Sequence, residues 1–157
     1  MTNPVSDPSD RLLMRELQRD ARQTNRALAD AAGLAPSTTL KRVRDLEHDG
    51  VITGYHAVLD SAALGRNLHA LVFVRLQPKS DDVVNAFVEH VWALPATVGL
   101  HLISGTEDVV IHLAVPDAEA LRQIVLSEIS SYPGVFDERT SLSFEHRHKW
   151  VVDPADH

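Results

Sequence analysis

Apolar positions keep a helical period through the first third of the chain, then turn to strand-length runs separated by helical stretches. Over Ser9–Asp20 a first helix is expected, with Ser9 as its cap and Leu13, Met14 and Leu17 as its buried stripe. Thr24 is the expected cap of a second, short helix that buries Leu28, Ala29 and Ala32 and ends at Gly33. Pro36 opens a third helix, in a position that needs no N–H donor. There Leu40, Val43 and Leu46 are expected inside, and Thr38, Lys41, Arg42 and Asp45 outside. The pattern is that of a helix-turn-helix with a basic, hydroxyl-bearing outer face.

Val51–Asp60 (VITGYHAVLD) has a β-like pattern, with Gly54 permitting a bend. It reads either as a wing beside the helices or as a linker that pairs with a partner chain, and the linker is preferred. Ser61–Gly65 is a short connector. Strand-length runs follow at Leu68–Leu76, Thr97–Ser104 and Val109–Val115, with a last strand around Thr140–His146. Helical stretches separate them. Asp81–Leu94 carries Val84, Phe87, Val88 and Val91 on one face, and a helix opened by Pro116-Asp117 carries Leu121, Ile124, Val125 and Ile129. Tyr132-Pro133-Gly134 ends the second of these helices.

The order is β-α-β-β-α-β, a ferredoxin-like unit. The fold class is therefore α+β: an N-terminal three-helix helix-turn-helix (winged) domain over residues 9–55, a linker over 56–66, and a βαββαβ ferredoxin-like C-terminal domain over 67–150. Residues 1–8 and 151–157 are expected to be tails, the first of them mobile. Leu68–Leu76 is apolar on both faces of its strand, so the sheet face without helices needs a cover. A second copy of the sheet is the simplest one, which predicts a symmetric dimer.

Composition narrows the function classes. The chain has 157 residues and no cysteine, which removes disulfides, thiolate nucleophiles and cysteine zinc sites. No apolar run is long enough to cross a bilayer, and the polar opening MTNPVSDPSD lacks a signal-peptide core. A cytoplasmic protein with no membrane partner and no cofactor is expected. The net charge of −7 looks wrong for a nucleic-acid binder, but it is unevenly spread. Residues 1–60 hold eight basic and nine acidic residues, whereas 61–157 hold seven and thirteen. Ser37–Arg44 contains three basic residues and no acid, enough for a local, salt-sensitive DNA contact.

A helix of this kind fits the major groove of double-stranded DNA, where Lys and Arg donate to guanine and Thr meets an edge or a methyl group. Backbone N–H groups near Ser37 can meet a phosphate. The same Lys41, Arg42 and Arg44 would also suit an ordinary solvated helix face. In the second half, Gly105 lets a ligand approach the backbone of the Gly105–Asp108 turn (with Thr106 and Glu107 between), and Asp108 can accept from an α-ammonium. An ordinary hairpin turn, with Asp108 bonded to its own backbone, fits those residues too.

The three-helix head, then VITGYHAVLD, then a βαββαβ domain with a Gly-x-x-Asp turn together resemble the Lrp/AsnC (feast/famine) transcriptional regulators. LAPSTTLKRVRDLEHDGVITGY, SGTED and PGV carry the likeness, which spans about Ser9 to Lys149. The resemblance implies a sequence-specific regulator that binds DNA through Ser37, Thr38, Lys41 and Arg42, with Arg44 reaching a phosphate. It implies a small-molecule effector, most often an amino acid, in a cleft that includes Gly105–Asp108, and dimers that assemble further, frequently to octamers. Ala35 stands where the family usually places a Ser cap. Thr39 falls on a mostly buried position, where its hydroxyl can bond the preceding turn.

Two alternatives stay open at this point. One is an architectural protein that bridges DNA with little sequence preference. The other is a metal-responsive regulator using histidine, since His146 and His148 would share a face of the last strand, near His101 and His112. An enzyme is not expected: the chain lacks G-x-S-x-G, a phosphate-binding Gly loop and HExxH.

Overall fold

Pro8 sets where the first helix starts. A proline at the first helical position leaves the capping role to the residue before it, and in the computed structural model, which describes residues 7–155, that residue is Asp7. Its Oδ1 accepts from the N–H of Ser9 at 2.8 Å and of Asp10 at 3.3 Å. Ser9, the expected cap, is thus inside the helix. Asp7 and Pro8 open an ordered element; the rest of the expected N-terminal tail lies outside the described residues.

The described residues form two compact units, one reaching Ala57 and including the segment from Arg147, the other Val58–His146. The first unit holds α1 (Pro8–Arg19), α2 (Asn25–Ala32) and α3 (Pro36–His48). Thr24 caps α2, its Oγ1 accepting from the Ala27 N–H, and Gly33 closes it at φ +63, a left-handed conformation that costs glycine little. Leu13, Leu28, Ala29 and Leu46 are buried, as is Thr39, whose hydroxyl donates to the Ala35 carbonyl at 3.2 Å. Leu40, expected inside, is 41% exposed. The buried face of α3 runs through Thr39, Val43 and Leu46, and Leu40 lies one step around the helix from it.

Val51–Asp60 forms no strand. A strand needs a neighbour's edge, and no other segment among the described residues pairs with it. Tyr55, Val58 and Leu59 are left exposed. At the far end of the chain, the expected tail docks within the first unit. Gln18 and Val152 exchange two hydrogen bonds, Val152 N–H to Gln18 Oε1 at 2.8 Å and Gln18 Nε2 to the Val152 carbonyl at 3.1 Å.

The second unit is an antiparallel sheet in the order β2-β3-β1-β4, from β1 (Leu68–Leu76), β2 (Thr97–Leu102), β3 (Val109–Val115) and β4 (Val135–Ser143). Helices α4 (Asp81–Trp92) and α5 (Ala118–Ile124) cover one face, and α5 continues as a π-helical turn over Val125–Ser130. The core gathers Ala70, Val72, Val74 and Leu76 of β1 with Val109, Ile111 and Leu113 of β3, under Phe87, Val91, Leu121, Val125 and Ile129. The expected βαββαβ order is the observed one. β4 starts five residues earlier than expected. Its sequence, VFDERTSLS, is too polar to show alternation; pairing with the whole of β1, from His69 to Leu76, defines it instead.

Candidate DNA interface and effector site

In the helical unit the five residues singled out from the sequence divide into two groups. Ser37, Thr38, Lys41 and Arg44 are exposed on α3, at spacings that keep them on neighbouring turns of one side. Lys41 pairs with Asp45 one turn on, at 2.6 Å. Arg42 is differently engaged. Its Nη1 lies 2.8 Å from Asp10 Oδ1 and 3.3 Å from Asp7 Oδ2, so it ties α3 to the start of α1. The bond to Asp10 holds its pKa above the usual arginine range, and the Ser9 N–H together with Arg42 holds the Asp7 carboxyl below the usual carboxylate range.

A cavity of about 370 Å³ lies along this side, lined by Asp10, Thr38, Lys41, Arg42, Asp45, Leu46 and Asp49. Asn25 Nδ2 donates to the Pro36 carbonyl at 2.8 Å, pinning the start of α3 to α2 where Ala35 supplies no side-chain cap. Behind α3, the Tyr55 hydroxyl donates to Glu47 Oε1 at 2.8 Å; partial burial, then Glu47, push its pKa up to about 12. Sequence reasoning missed Asp7 and Asp10 as the partners of Arg42. Asp before Pro is a readable cap signal, but the reach of Asp10 across to α3 is a tertiary fact. It also missed Leu40, exposed between Ser37 and Arg44 and able to meet a thymine methyl.

In the sheet unit the Gly105–Asp108 turn joins β2 to β3. Gly105 has φ +144, a backbone conformation that other residues rarely adopt, and open space where a side chain would stand. Thr106 is exposed, and Glu107 faces Arg139 at 3.6 Å. The Asp108 carboxylate neither bonds its own turn nor stands open. Its Oδ2 accepts from the Leu76 N–H at 2.8 Å, and its Oδ1 meets Lys79 Nζ at 2.8 Å. Burial opposes its ionisation, but Lys79 and the Leu76 N–H outweigh that and hold its carboxyl below the usual range.

Beside this lock lies a cavity of about 600 Å³ lined by Arg75, Leu76, Gln77, Pro78, Lys79 and Phe136. The Arg75 guanidinium stacks 4.4 Å over the Phe136 ring, and its Nε is shielded from solvent with no hydrogen-bond partner among the described residues. Two cations and one exposed ring thus border a single hollow, and one of the cations, Lys79, is held by the Asp108 carboxylate. Such a set can hold a zwitterion with an apolar tail.

The shared strand face of His146 and His148, on which the metal alternative rested, does not form. β4 ends at Ser143, so His146 and His148 share no strand; His148 packs on Trp150, with ring centroids 3.9 Å apart. Among the described residues no group of three or more His, Asp or Glu could hold a metal ion, and no helix is long and apolar enough to cross a membrane.

Each of the two units has a counterpart among known protein families. Residues 6–53 match the family described as winged helix-turn-helix DNA-binding, and residues 69–149 match the Lrp/AsnC ligand binding domain. The chain is 37% identical over 140 residues to the HTH-type transcriptional regulator AldR of Mycolicibacterium smegmatis, covering 89% of this chain and 82% of that one. It is 37% identical over 139 residues to the leucine-responsive regulatory protein of Escherichia coli K12, covering 88% and 85%. Its fold matches a Neisseria meningitidis transcriptional regulator solved with L-Met, at a TM-score of 0.87 and 26% identity, over 93% of this chain and 95% of that one. The chain belongs to the Lrp/AsnC family: it is a transcriptional regulator with a helix-turn-helix DNA-binding domain and a ligand-binding domain, not an enzyme.

Proposed function

We propose that this regulator binds specific DNA sites as a homodimer, or a larger assembly of dimers, in the cytoplasm, and that an amino acid tunes it. The observation that carries the DNA reading is the exposed set Ser37, Thr38, Lys41 and Arg44 on one side of α3. Lys41 and Arg44 donate to base edges or phosphates, Ser37 and Thr38 sit where the helix start meets the backbone, and Arg42 holds the helix at its angle. Two copies present two such helices to successive turns of a pseudo-palindromic site.

The effector reading is supported by the hollow beside Gly105–Asp108 and by two relatives, one named for its response to leucine and one solved in complex with L-Met. Asp108 takes the ammonium in competition with Lys79, while the turn through Gly105, Thr106 and Glu107 leaves the backbone open to approach. Such a ligand acts only by binding one assembly more tightly than another. Selection of bound fragments from sheared genomic DNA, with native protein beside Lys41→Ala/Arg44→Ala, tests the DNA reading. A shared pseudo-palindromic motif, enriched by the native chain alone, supports it. Extended protection without preferred sites would replace it with the architectural role.

A further inference from the structure

The sheet face away from the helices is not simply apolar. Alternation along β1 puts His69, Leu71, Phe73 and Arg75 there, and the register adds His101 from β2, Val110 and His112 from β3, and Asp137 and Arg139 from β4. His69 Nδ1 lies 2.9 Å from His112 Nε2. The His146 ring packs against both, with centroids 4.8 Å from His112 and 6.4 Å from His69. Charge sits towards the margins and is matched within the chain, Arg139 with Glu107 and Arg75 with Asp137. An apolar and imidazole centre with a balanced polar rim is what a self-complementary interface requires.

From this arrangement we infer that the four histidines form a proton-operated switch on the pairing of two copies of this chain through the open sheet face. The inference rests on the dimer reading above. A hydrogen bond between two ring nitrogens needs one donor and one acceptor, so it survives one proton but not two. Protonating both rings replaces it with two like charges in contact. Pairing two sheets brings a second set of four against the first and removes water from both, so each added proton costs more in the pair than in the single chain and thereby opposes association.

The other charged groups around the cluster are of both signs. From β1 the nearest charges are Arg75 and, just before the strand, Arg66, whose guanidinium donates to the carbonyl of Ala114, the cross-strand partner of His69. From β2 the cluster faces His101, and β3 carries no titratable group besides His112. β4 brings Asp137, already with Arg75, and Arg139, stacked 4.2 Å over Phe73; beyond it Glu145 and Arg147 flank His146. Burial and then the neighbouring histidines His146, His69 and His101 all favour the neutral form of His112.

Sedimentation equilibrium of the full chain without DNA, at pH 7.5, 6.5 and 5.5, is the test, with circular dichroism at each pH to confirm the fold. The native dimer dissociation constant should rise at least roughly tenfold from pH 7.5 to 5.5, the order expected if separation takes up a proton or more. His69→Gln/His112→Gln should lose most of that dependence. His146→Gln, on an exposed segment, should lose part of it and keeps the test decisive if the double variant fails to fold. A native constant that stays flat with pH overturns the switch while leaving the dimer intact. A Leu71→Asp variant still dimeric at pH 7.5, or a native chain monomeric throughout, overturns the face-to-face dimer itself and the switch with it.

Discussion

Arg42 Nη1 and Asp10 Oδ1 are 2.8 Å apart, across 32 residues of chain, and their bond joins α3 to α1. Asp10 is nearly buried, with 12% of its side chain exposed, so removing Arg42 strands a carboxylate rather than freeing a surface charge. Arg42→Ala should lower unfolding stability by about 1–3 kcal/mol, the range for a lost hydrogen bond to a charged group. Lys41→Ala, 77% exposed before substitution, should change stability by less than about 0.5 kcal/mol and weaken DNA binding roughly tenfold. Urea unfolding beside fluorescence-anisotropy titration separates the two. Equal stability losses would sink the division of labour.

Ala35 precedes α3 with extended backbone, φ −68 and ψ 143, and offers no side-chain cap. That geometry suits a serine, whose hydroxyl can accept an N–H of the first turn. Ala35→Ser should stabilise the protein by about 1 kcal/mol in urea unfolding. An unchanged midpoint would show that Thr39 and Asn25 already hold this helix start fully.

Asp108 gives a pH signature. Its carboxyl is held below its ordinary value of 3.8 in the folded chain, so the unfolded chain binds more protons there. The contribution is present above 3.8 and lost as the pH falls through the lower folded value. Asp108→Asn should therefore cost about 1–2 kcal/mol at pH 7 and progressively less on acidification. Urea curves at pH 7, 5 and 3 read the convergence; a constant difference would deny the ion pair with Lys79 its role.

Gly134 sits at φ +96, and a Cβ there would stand 2.9 Å from Val83 Cγ1. Its carbonyl accepts from the Gln77 N–H at 2.8 Å, so the loop cannot swing away cheaply. Gly134→Ala should cost about 1–3 kcal/mol by thermal unfolding. Adding Val83→Ala should recover the steric share but not the backbone share. No recovery at all would place the whole cost in φ.

The fold was readable wherever periodicity and end signals agreed. Leu68–Leu76 and Val109–Val115 appear at their expected bounds, because nearly unbroken apolar runs between a proline and a turn leave little choice of where a strand begins and ends. The sequence pattern starts β4 five residues late because VFDERTSLS is too polar to show alternation. Leu40 was misread because a three-to-four spacing leaves the border of a helical stripe undecided. Of the candidate sites, the residue types were legible but the partners were not. Nothing local in the sequence tells that Asp108 meets Lys79 and the Leu76 N–H, or that Arg42 meets Asp10 and Asp7; those pairs exist only once the units close.

The two bonds between Gln18 and Val152 span 134 residues, and in between the chain builds the whole sheet unit. On a ribosome α1 would therefore emerge many seconds before the backbone it finally grips, at about 5–20 residues per second. The DNA-binding head completes its last contact only after the sensor half has been made. Nascent chains cut short anywhere in the sheet would carry a head in which Gln18 bonds the Met14 carbonyl of its own helix but lacks its clasp to Val152.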